Sequence, residues 1–363
     1  LANAIGVIAL LKASAGRRDI ISFVVALLMA LAIGALIILV TGANPLVAYR
    51  AGLKAAAGTS YRFLNTLCST TVLVMTGLAC SIAFGSGIQN IGVEGQLYLG
   101  AFAAAIAGQI VGLPKAIHIP LVFLGAAIAG AIWAFIPGIL RVWRGVNEVV
   151  VTLMMNYVAI MLTSYWVNYP FKRPGSSWPE TVAIQESARM SYLFPLTRFN
   201  NTFFMSMMFM LVVLFVVRRT QAGYESRMVG LNPKASTIAG IEPGKTMLKA
   251  MLVSGALGGL AGGMEVTGTM YRFMDSFSPG FGMTGILIAL VAQNDPIRVA
   301  IVAFIFAFMK NGASGIELAT DVPAEICDIL QTLIVLFLAA ERSLRPMLNE
   351  RLQRKAAARG VQQ

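Results

Sequence analysis

Amides, hydroxyls and a carboxylate interrupt an otherwise apolar sequence at residues 85–96, GSGIQNIGVEGQ. The segment brings together four glycines with Asn90, Glu94 and Gln96, and it lies between two apolar runs, each long enough to enter a bilayer. Flexible backbone and an ionisable group both cost free energy at that depth. The segment therefore reads as a break that lines a protein-walled path or gate. The plainer alternative is a short aqueous turn in which Glu94 caps the next helix.

A second polar set follows in GVNEVVVTLMMNY (145–157), where Glu148, Thr152 and Asn156 recur at every fourth position. On a helix they span an arc of about 80° and rise about 12 Å, and Thr163 continues the stripe. Lipid offers such groups no partner, so the stripe faces other helices or a wet cavity. Helix-to-helix hydrogen bonding and substrate contact both fit. Glu265 lies in another apolar run and needs a partner, for which Arg272 and Lys310 are candidates. Before it, Gly255, Gly259 and Gly263 share one helical face, a pattern for close helix packing.

These groups must be held by membrane helices. The chain has 363 residues, 57% hydrophobic and 12% charged, and the apolar runs recur from Ile20 to Ala340 with no long polar block. A soluble domain carries about 25% charged residues. This composition predicts an all-α, polytopic integral membrane protein, read as one domain over 1–363. Runs at 21–41, 63–84, 96–112, 118–140, 147–168, 202–217, 247–268, 281–292, 297–313 and 324–340 give about ten transmembrane segments. The run at 281–292 follows SPGFGMTG and is short for a span, which predicts a discontinuous or re-entrant helix. Arg17 and Arg18 precede a first run long enough to span, so it reads as a membrane segment and not as a removable signal.

The net charge of +12 raises the question of nucleic acid, but the basic residues fall in short loops and at the tail. The positive-inside rule accounts for them, and no nucleic-acid partner is expected. With 1–19 placed in the cytoplasm, the loop 218–245 and the basic tail 341–363 also fall inside, and the proline-rich loop 169–201 forms an external cap. The inside loop contains a short helix-compatible stretch, 234–239, framed by Gly230 and Gly240. It is either a docking knob for a soluble partner or an ordinary connection. His118 stands alone, the three cysteines lie in apolar runs, and no cluster has metal spacing, so neither a metal site nor a catalytic residue is predicted. Cys68 and Cys80, about 18 Å apart on one helix, cannot pair.

The pieces NIGVEGQLYLGA (90–101), GVNEVVVTLMMNY (145–157), RMVGLNPKASTIAGI (227–241) with SGALGGLAGG, SPGFGMTGILIAL (278–290) and VPAEICDILQTLIVLF (322–337) occur in this order. Together they resemble the permease subunits of bacterial ABC importers of the branched-chain amino acid and ribose-type superfamily, nearest to nucleoside and simple-sugar permeases. The likeness covers the chain from about Thr66 onward. It implies a coupling helix within 227–241, with Arg227, Gly230, Asn232, Pro233, Lys234, Ala235 and Gly240 contacting a cytoplasmic ABC ATPase. It also implies a substrate path bordered by Asn90, Glu94, Gln96, Glu148, Thr152, Asn156 and Glu265. The implied partners are that ATPase, a second permease subunit, an extracytoplasmic solute-binding lipoprotein and the lipid of the inner membrane.

This chain has no GxxxxGK[ST] loop, so ATP and Mg are expected on the partner ATPase and no cofactor is expected here. Thr152, Asn156 and Thr163, with Asn90 and Gln96, offer neutral amides and hydroxyls, and among the apolar runs only Lys310 is a basic residue well inside, which favours a neutral cargo. A nucleoside and a simple sugar both suit these groups, and the resemblance alone puts the nucleoside first. An ion-coupled secondary transporter, with Glu94, Glu265 and Lys310 as relay groups, is a further alternative. An intramembrane enzyme lacks the motifs it would need.

Overall fold

The computed structural model describes residues 24–194, 197–320 and 322–340. Among these residues, extended pairing is confined to two isolated bridges, Glu180 with Met274 and Tyr192 with Asn200. The helices, in order, are α1 (Val24–Val40), α2 (Pro45–Ala57), α3 (Ser60–Gly85), α4 (Val93–Ala107), α5 (Lys115–Arg144), α6 (Glu148–Asn168) and α7 (Thr202–Arg219). They continue with α8 (Gln221–Leu231), α9 (Pro233–Ile238), α10 (Pro243–Glu265), α11 (Phe281–Ala292), α12 (Pro296–Thr320) and α13 (Ile326–Ala340). The last turn of α10 continues as a π-helical segment, Val266–Met270.

Each of the ten predicted runs has its helix. Six of the described helices are long and apolar enough to cross a membrane, seven if α1 and α2, bent by 118° at their junction, make one broken span. Helices α4, α11 and α13 are apolar but shorter. The expected short helix at 281–292 is α11. Helix α2 has no counterpart among the predicted runs, because Arg50 and Lys54 interrupt its apolar character.

The chain forms two compact units. In the one built from residues up to Ala55 and from Met309 onward, Ile38, Ala48, Ile316, Val322 and Ile326 make a core. The other, Ala56–Phe308, contains every predicted path and coupling residue. Its central helix is α10, packed against α3, α4 and α5. Glycines on two faces of α10 make that possible. Towards α5, a Cβ on Gly263 would lie 2.9 Å from Ala126 Cβ, and one on Gly259 would lie 3.1 Å from Gly130 Cα. Towards α4, a Cβ on Gly258 would lie 3.2 Å from Gln96 Cβ. In lipid, where burial of apolar surface drives little, such close backbone packing is a main source of helix association.

Two connections differ from the sequence expectation or sharpen it. The stretch 218–245 is mostly helical: its first half is α8, where a polar loop broken by glycines was expected. Gly223 and Gly230 lie inside α8 as close-packing residues, Gly223 with its Cβ position 2.6 Å from Val217 Cα, so they do not act as turn residues. The connection 169–201 is a folded cap. Thr181 N–H donates to Phe273 O at 2.9 Å, Ile184 N–H to Tyr271 O at 2.8 Å and Met190 N–H to Thr267 O at 3.0 Å, tying the cap to the segment after α10. His118 is buried beneath it, between Ser187 Oγ at 2.7 Å and Ala107 O at 3.0 Å, which is a structural role. Pro195 of the predicted loop and the whole tail 341–363 lie outside the described residues, as do residues 1–23.

Candidate functional site

The break between α3 and α4 is irregular backbone inside the protein. Ser86, Ile88 and Asn90 are fully buried, while Gly87 and Gln89 between them are exposed. Gly87, at φ +77°, turns the chain out of α3. The free backbone groups that follow are met by the predicted stripe of α6. Gln89 N–H donates to Glu148 Oε1 at 3.4 Å, and Ile91 N–H to Thr152 Oγ1 at 3.3 Å. Asn156 does most: its Nδ2 donates to Ile91 O at 2.8 Å and its Oδ1 accepts from Gly95 N–H at 2.8 Å. Three successive turns of α6 thus bind the break at Gln89 and Ile91 and, through Gly95, the first turn of α4. Gly95 lets the two elements approach, since a Cβ there would lie 3.0 Å from Ala159 Cβ. Of the two uses open for Thr152 and Asn156, this geometry is bonding to the neighbouring backbone. Glu148 is also paired with Arg141, Nε to Oε2 at 3.2 Å, and Thr163 donates to Ala159 O at 2.8 Å within its own helix.

Behind the break, Asn90 organises an amide network. Its Nδ2 donates to Gln96 Oε1 at 3.0 Å and to Ser254 Oγ at 2.8 Å, and its Oδ1 accepts from Gln96 Nε2 at 3.1 Å and from Gly92 N–H at 2.9 Å. Ser254 in turn donates to Ala79 O at 2.6 Å, so α3, α4 and α10 meet through neutral groups that are all satisfied.

Glu94 is buried in the first turn of α4, and it does not cap that helix. Its Oε2 accepts from the N–H of Gly282, in the first turn of α11. A carboxylate is well placed at a helix N-terminus, where unpaired N–H groups and the helix dipole favour negative charge. Glu265, at the end of α10, is buried apart from this group. Arg272, a candidate partner, is held instead by Glu180, with Nη1 2.9 Å from Oε2. Arg198, in the cap, contributes a favourable charge to the surroundings of Glu265, and sequence reasoning did not single it out because it comes from a distant part of the chain.

The residues predicted to couple fall on α8, on α9 with its N-cap, and in the turn after α9. On α9, Asn232 is the N-cap, with Oδ1 accepting from Lys234 N–H at 3.0 Å and Ala235 N–H at 3.1 Å, and Pro233 fills the first helical position, where its missing N–H costs nothing. Gly240, at φ +80°, ends that turn. The surface is exposed, and Ile238 and Leu231 are 91% and 83% accessible although apolar. On α8, Arg227 is exposed while Gly230 is seated on the break: a Cβ on Gly230 would lie 3.0 Å from Gly85 C and 3.3 Å from Gly87 N. Ser226 Oγ and Ser86 Oγ share a hydrogen bond beside it. Helix α8 therefore touches the same seven-residue break whose far end bears Asn90 and leads to Glu94. Ser226, Ser254 and Gly282 are the members of this site that residue type alone did not single out; Ser254 and Gly282 each lie within a quoted glycine-rich motif.

Residues 62–339 match the family model described as the permease component of the branched-chain amino acid transport system. The chain is 36% identical over 339 residues to the guanosine ABC transporter permease protein NupP of Bacillus subtilis, covering 92% of this chain and 96% of that protein. It is 33% identical to the glucose ABC transporter permease protein TsgB13 of Haloferax volcanii, over 87% of this chain and 86% of the relative. It is 30% identical to the nucleoside ABC transporter permease protein NupB of Lactococcus lactis, over 94% and 96%.

Proposed function

The chain belongs to the family of branched-chain amino acid transport system permease components, and from that premise we propose that it carries a nucleoside across the bacterial inner membrane. In this reading it works with a cytoplasmic ATPase, a second permease subunit and an extracytoplasmic binding lipoprotein. ATP and Mg belong to the ATPase. Two of the relatives named above, at 36% and 30% identity, are guanosine and nucleoside permeases, and each is covered along nearly its whole length. The neutral polar groups around the break suit a cargo rich in hydroxyls and ring nitrogens. A simple sugar is the second reading, favoured by the glucose permease relative.

The observation that carries the mechanism is the seat of Gly230 on Gly85 and Gly87. With α8 and α9 in the cytoplasm, the apolar surface at Leu231 and Ile238 is the part offered to the ATPase. A shift of α9 on nucleotide binding moves α8, and α8 moves the break. The break bears Asn90 and Glu94, so the path bordered by Asn90, Glu94, Gln96, Glu148, Thr152, Asn156 and Glu265 opens to alternate sides. Glycine at both contact points leaves no side chain to absorb the displacement.

Uptake of radiolabelled guanosine, adenosine, uridine and ribose in cells with and without the gene tests the cargo. Nucleoside uptake is expected to depend on the gene, to stop on ATP depletion and to survive collapse of the proton gradient. Gene-dependent ribose uptake with unchanged nucleoside entry would transfer the assignment to sugars. Loss of uptake with the proton gradient alone would favour an ion-coupled carrier.

A further inference from the structure

Helices α7 and α10 each pack on α3, and between them runs a groove of about 360 Å³ that is closed at one end by α8. In its lining Val213, Ala250, Leu257 and Leu260 are buried, whereas Val212, Val216 and Val253 are 49%, 38% and 47% exposed. The groove therefore has an apolar floor and opens on the flank of two helices that are long and apolar enough to cross a membrane. From Leu260 to Lys249 its α10 side rises about 16 Å, at 1.5 Å per residue. That is the depth of one leaflet, half of a hydrocarbon core about 30 Å thick. The charged lining residues, Glu225 and Lys249, lie where α8 meets the second turn of α10. Lys249 is exposed and makes no hydrogen bond or ion pair among the described residues, and Glu225 is half-buried with Oε1 accepting from Gln221 Nε2 at 2.8 Å. The two line one groove without pairing to each other. The other polar groups of the lining are Ser226, whose hydroxyl shares a hydrogen bond with Ser86, and the buried Thr246.

We propose that the groove binds a phospholipid of the leaflet on the α8 side, with an acyl chain along the apolar floor and a headgroup that carries both a phosphate and a primary ammonium, as in phosphatidylethanolamine. The inference holds whichever cargo is carried. Lys249 offers a cation to the phosphate, reached through its long flexible stem, and Glu225 offers an acceptor to the ammonium. A headgroup with a phosphate and no cation would gain Lys249 but face the Glu225 carboxylate, and a choline headgroup has the positive charge without an N–H to donate. The pair of opposite, mutually unpaired charges at one end of an apolar groove of leaflet depth is what distinguishes this place from the exposed apolar flanks of α5 and α6, which meet lipid without a floor or a charged end. Gly223 and Ser226 form the α8 wall, so the occupant packs beside the hydrogen bond that ties α8 to Ser86 of the break.

The test uses the complete transporter in phosphatidylcholine nanodiscs with a trace of phosphatidylethanolamine bearing a photoreactive diazirine on its acyl chain, the cross-links being mapped by peptide mass. Labelling is expected on the groove faces of α7 and α10. Unlabelled phosphatidylethanolamine should displace it at a concentration about fivefold lower than phosphatidylglycerol, the scale of one partly exposed ion pair. Lys249→Gln and Glu225→Gln should each weaken that displacement about fivefold. The competition on the wild-type protein does not depend on how the variants fold. Labelling spread as strongly over α5 and α6, with no preference between the two lipids, would mean ordinary surrounding lipid and overturn the proposal. A groove left unlabelled while α5 and α6 react would overturn it too, since a protein segment such as the second permease subunit would then cover the site. Equal displacement by both lipids together with unchanged displacement in Glu225→Gln would overturn the headgroup assignment.

Discussion

The carboxylate of Glu94 accepts a hydrogen bond from the N–H of Gly282, joining the first turn of α4 to the first turn of α11. Two helix N-termini thus meet at one buried negative charge. Position 282 has no room for a side chain, since a Cβ would lie 2.6 Å from Glu94 Cα and 2.8 Å from Glu94 Oε2. Gly282→Ala must push α11 off α4, and it is expected to lower the melting temperature in detergent and abolish uptake. Glu94→Gln keeps the shape and loses the charge. Its expected cost is about 1.5–3 kcal/mol, the range for a hydrogen bond to a charged group. Wild-type melting and uptake in both variants would show that the junction carries no weight.

Asn156 is the strongest of the α6 contacts, because it serves an acceptor of the break, Ile91 O, and a donor in the first turn of α4, Gly95 N–H. Asn156→Ala leaves Gly95 N–H and Ile91 O unpaired, at a cost on the order of 1–3 kcal/mol for each buried group. Thr163→Val removes only a bond that a helical hydroxyl makes to its own backbone, and it should cost less than about 1 kcal/mol. Melting temperatures of the two purified variants give the comparison. Equal destabilisation would mean that α6 does not hold the break.

Gly230 and Gly240 bracket the same stretch of sequence but answer to different constraints. Gly230→Leu must displace the backbone at Gly85, so the protein is expected to insert normally and to lose the link between ATP hydrolysis and uptake. Gly240→Ala meets open space, and its only strain is the positive φ, roughly 1 kcal/mol. Uptake and cargo-stimulated ATP hydrolysis should both fall in the first variant and nearly persist in the second. Normal coupling with Gly230→Leu would remove α8 from the mechanism.

Much of the fold was legible because lipid imposes a simple rule: apolar length predicts helices, and each of the ten runs has one. The polar stripe of α6 was legible for the same reason, since Glu148, Thr152 and Asn156 at fourfold spacing must face protein. What they face was not legible, because the partner is backbone of the break, and backbone carries no residue signature. Helix α8 was hidden by Gly223 and Gly230, which read as turn residues when only chain order is known and as packing residues once Val217 and Gly85 are beside them. The nearness of Arg198 to Glu265 depends on how the cap folds back, so no local pattern announces it.

The distribution of Lys and Arg predicts that Lys172 in the cap and Lys234 on α9 lie on opposite sides of the membrane. Single cysteines at the two positions, in a background lacking the native three, can be labelled in intact cells with an impermeant thiol reagent. Lys172→Cys should react in intact cells and Lys234→Cys only after permeabilisation. Reaction of both from one side would overturn the orientation used for the coupling mechanism.

Glu180 ties the cap together through Arg272, at 2.9 Å, and Arg173, at 3.1 Å. Burial alone would raise its carboxyl, but the hydrogen bonds from Arg272 and then Arg173 outweigh that and hold it below the ordinary carboxylate range. A group whose folded pKa is depressed stabilises the fold fully above its unfolded value, about 4.3 for Glu, and that stability is lost as the pH falls through the folded value. The cap should therefore be indifferent to pH near neutrality and loosen in acid, below about pH 5. The comparison is the melting temperature of wild type and of Glu180→Gln at pH 7 and at pH 4. The variant is expected to be the less stable at pH 7, and the gap should narrow at pH 4, where the wild-type carboxylate starts to lose the same charge. A gap that stays constant across this range would mean that the ion pairs with Arg272 and Arg173 do not stabilise the cap.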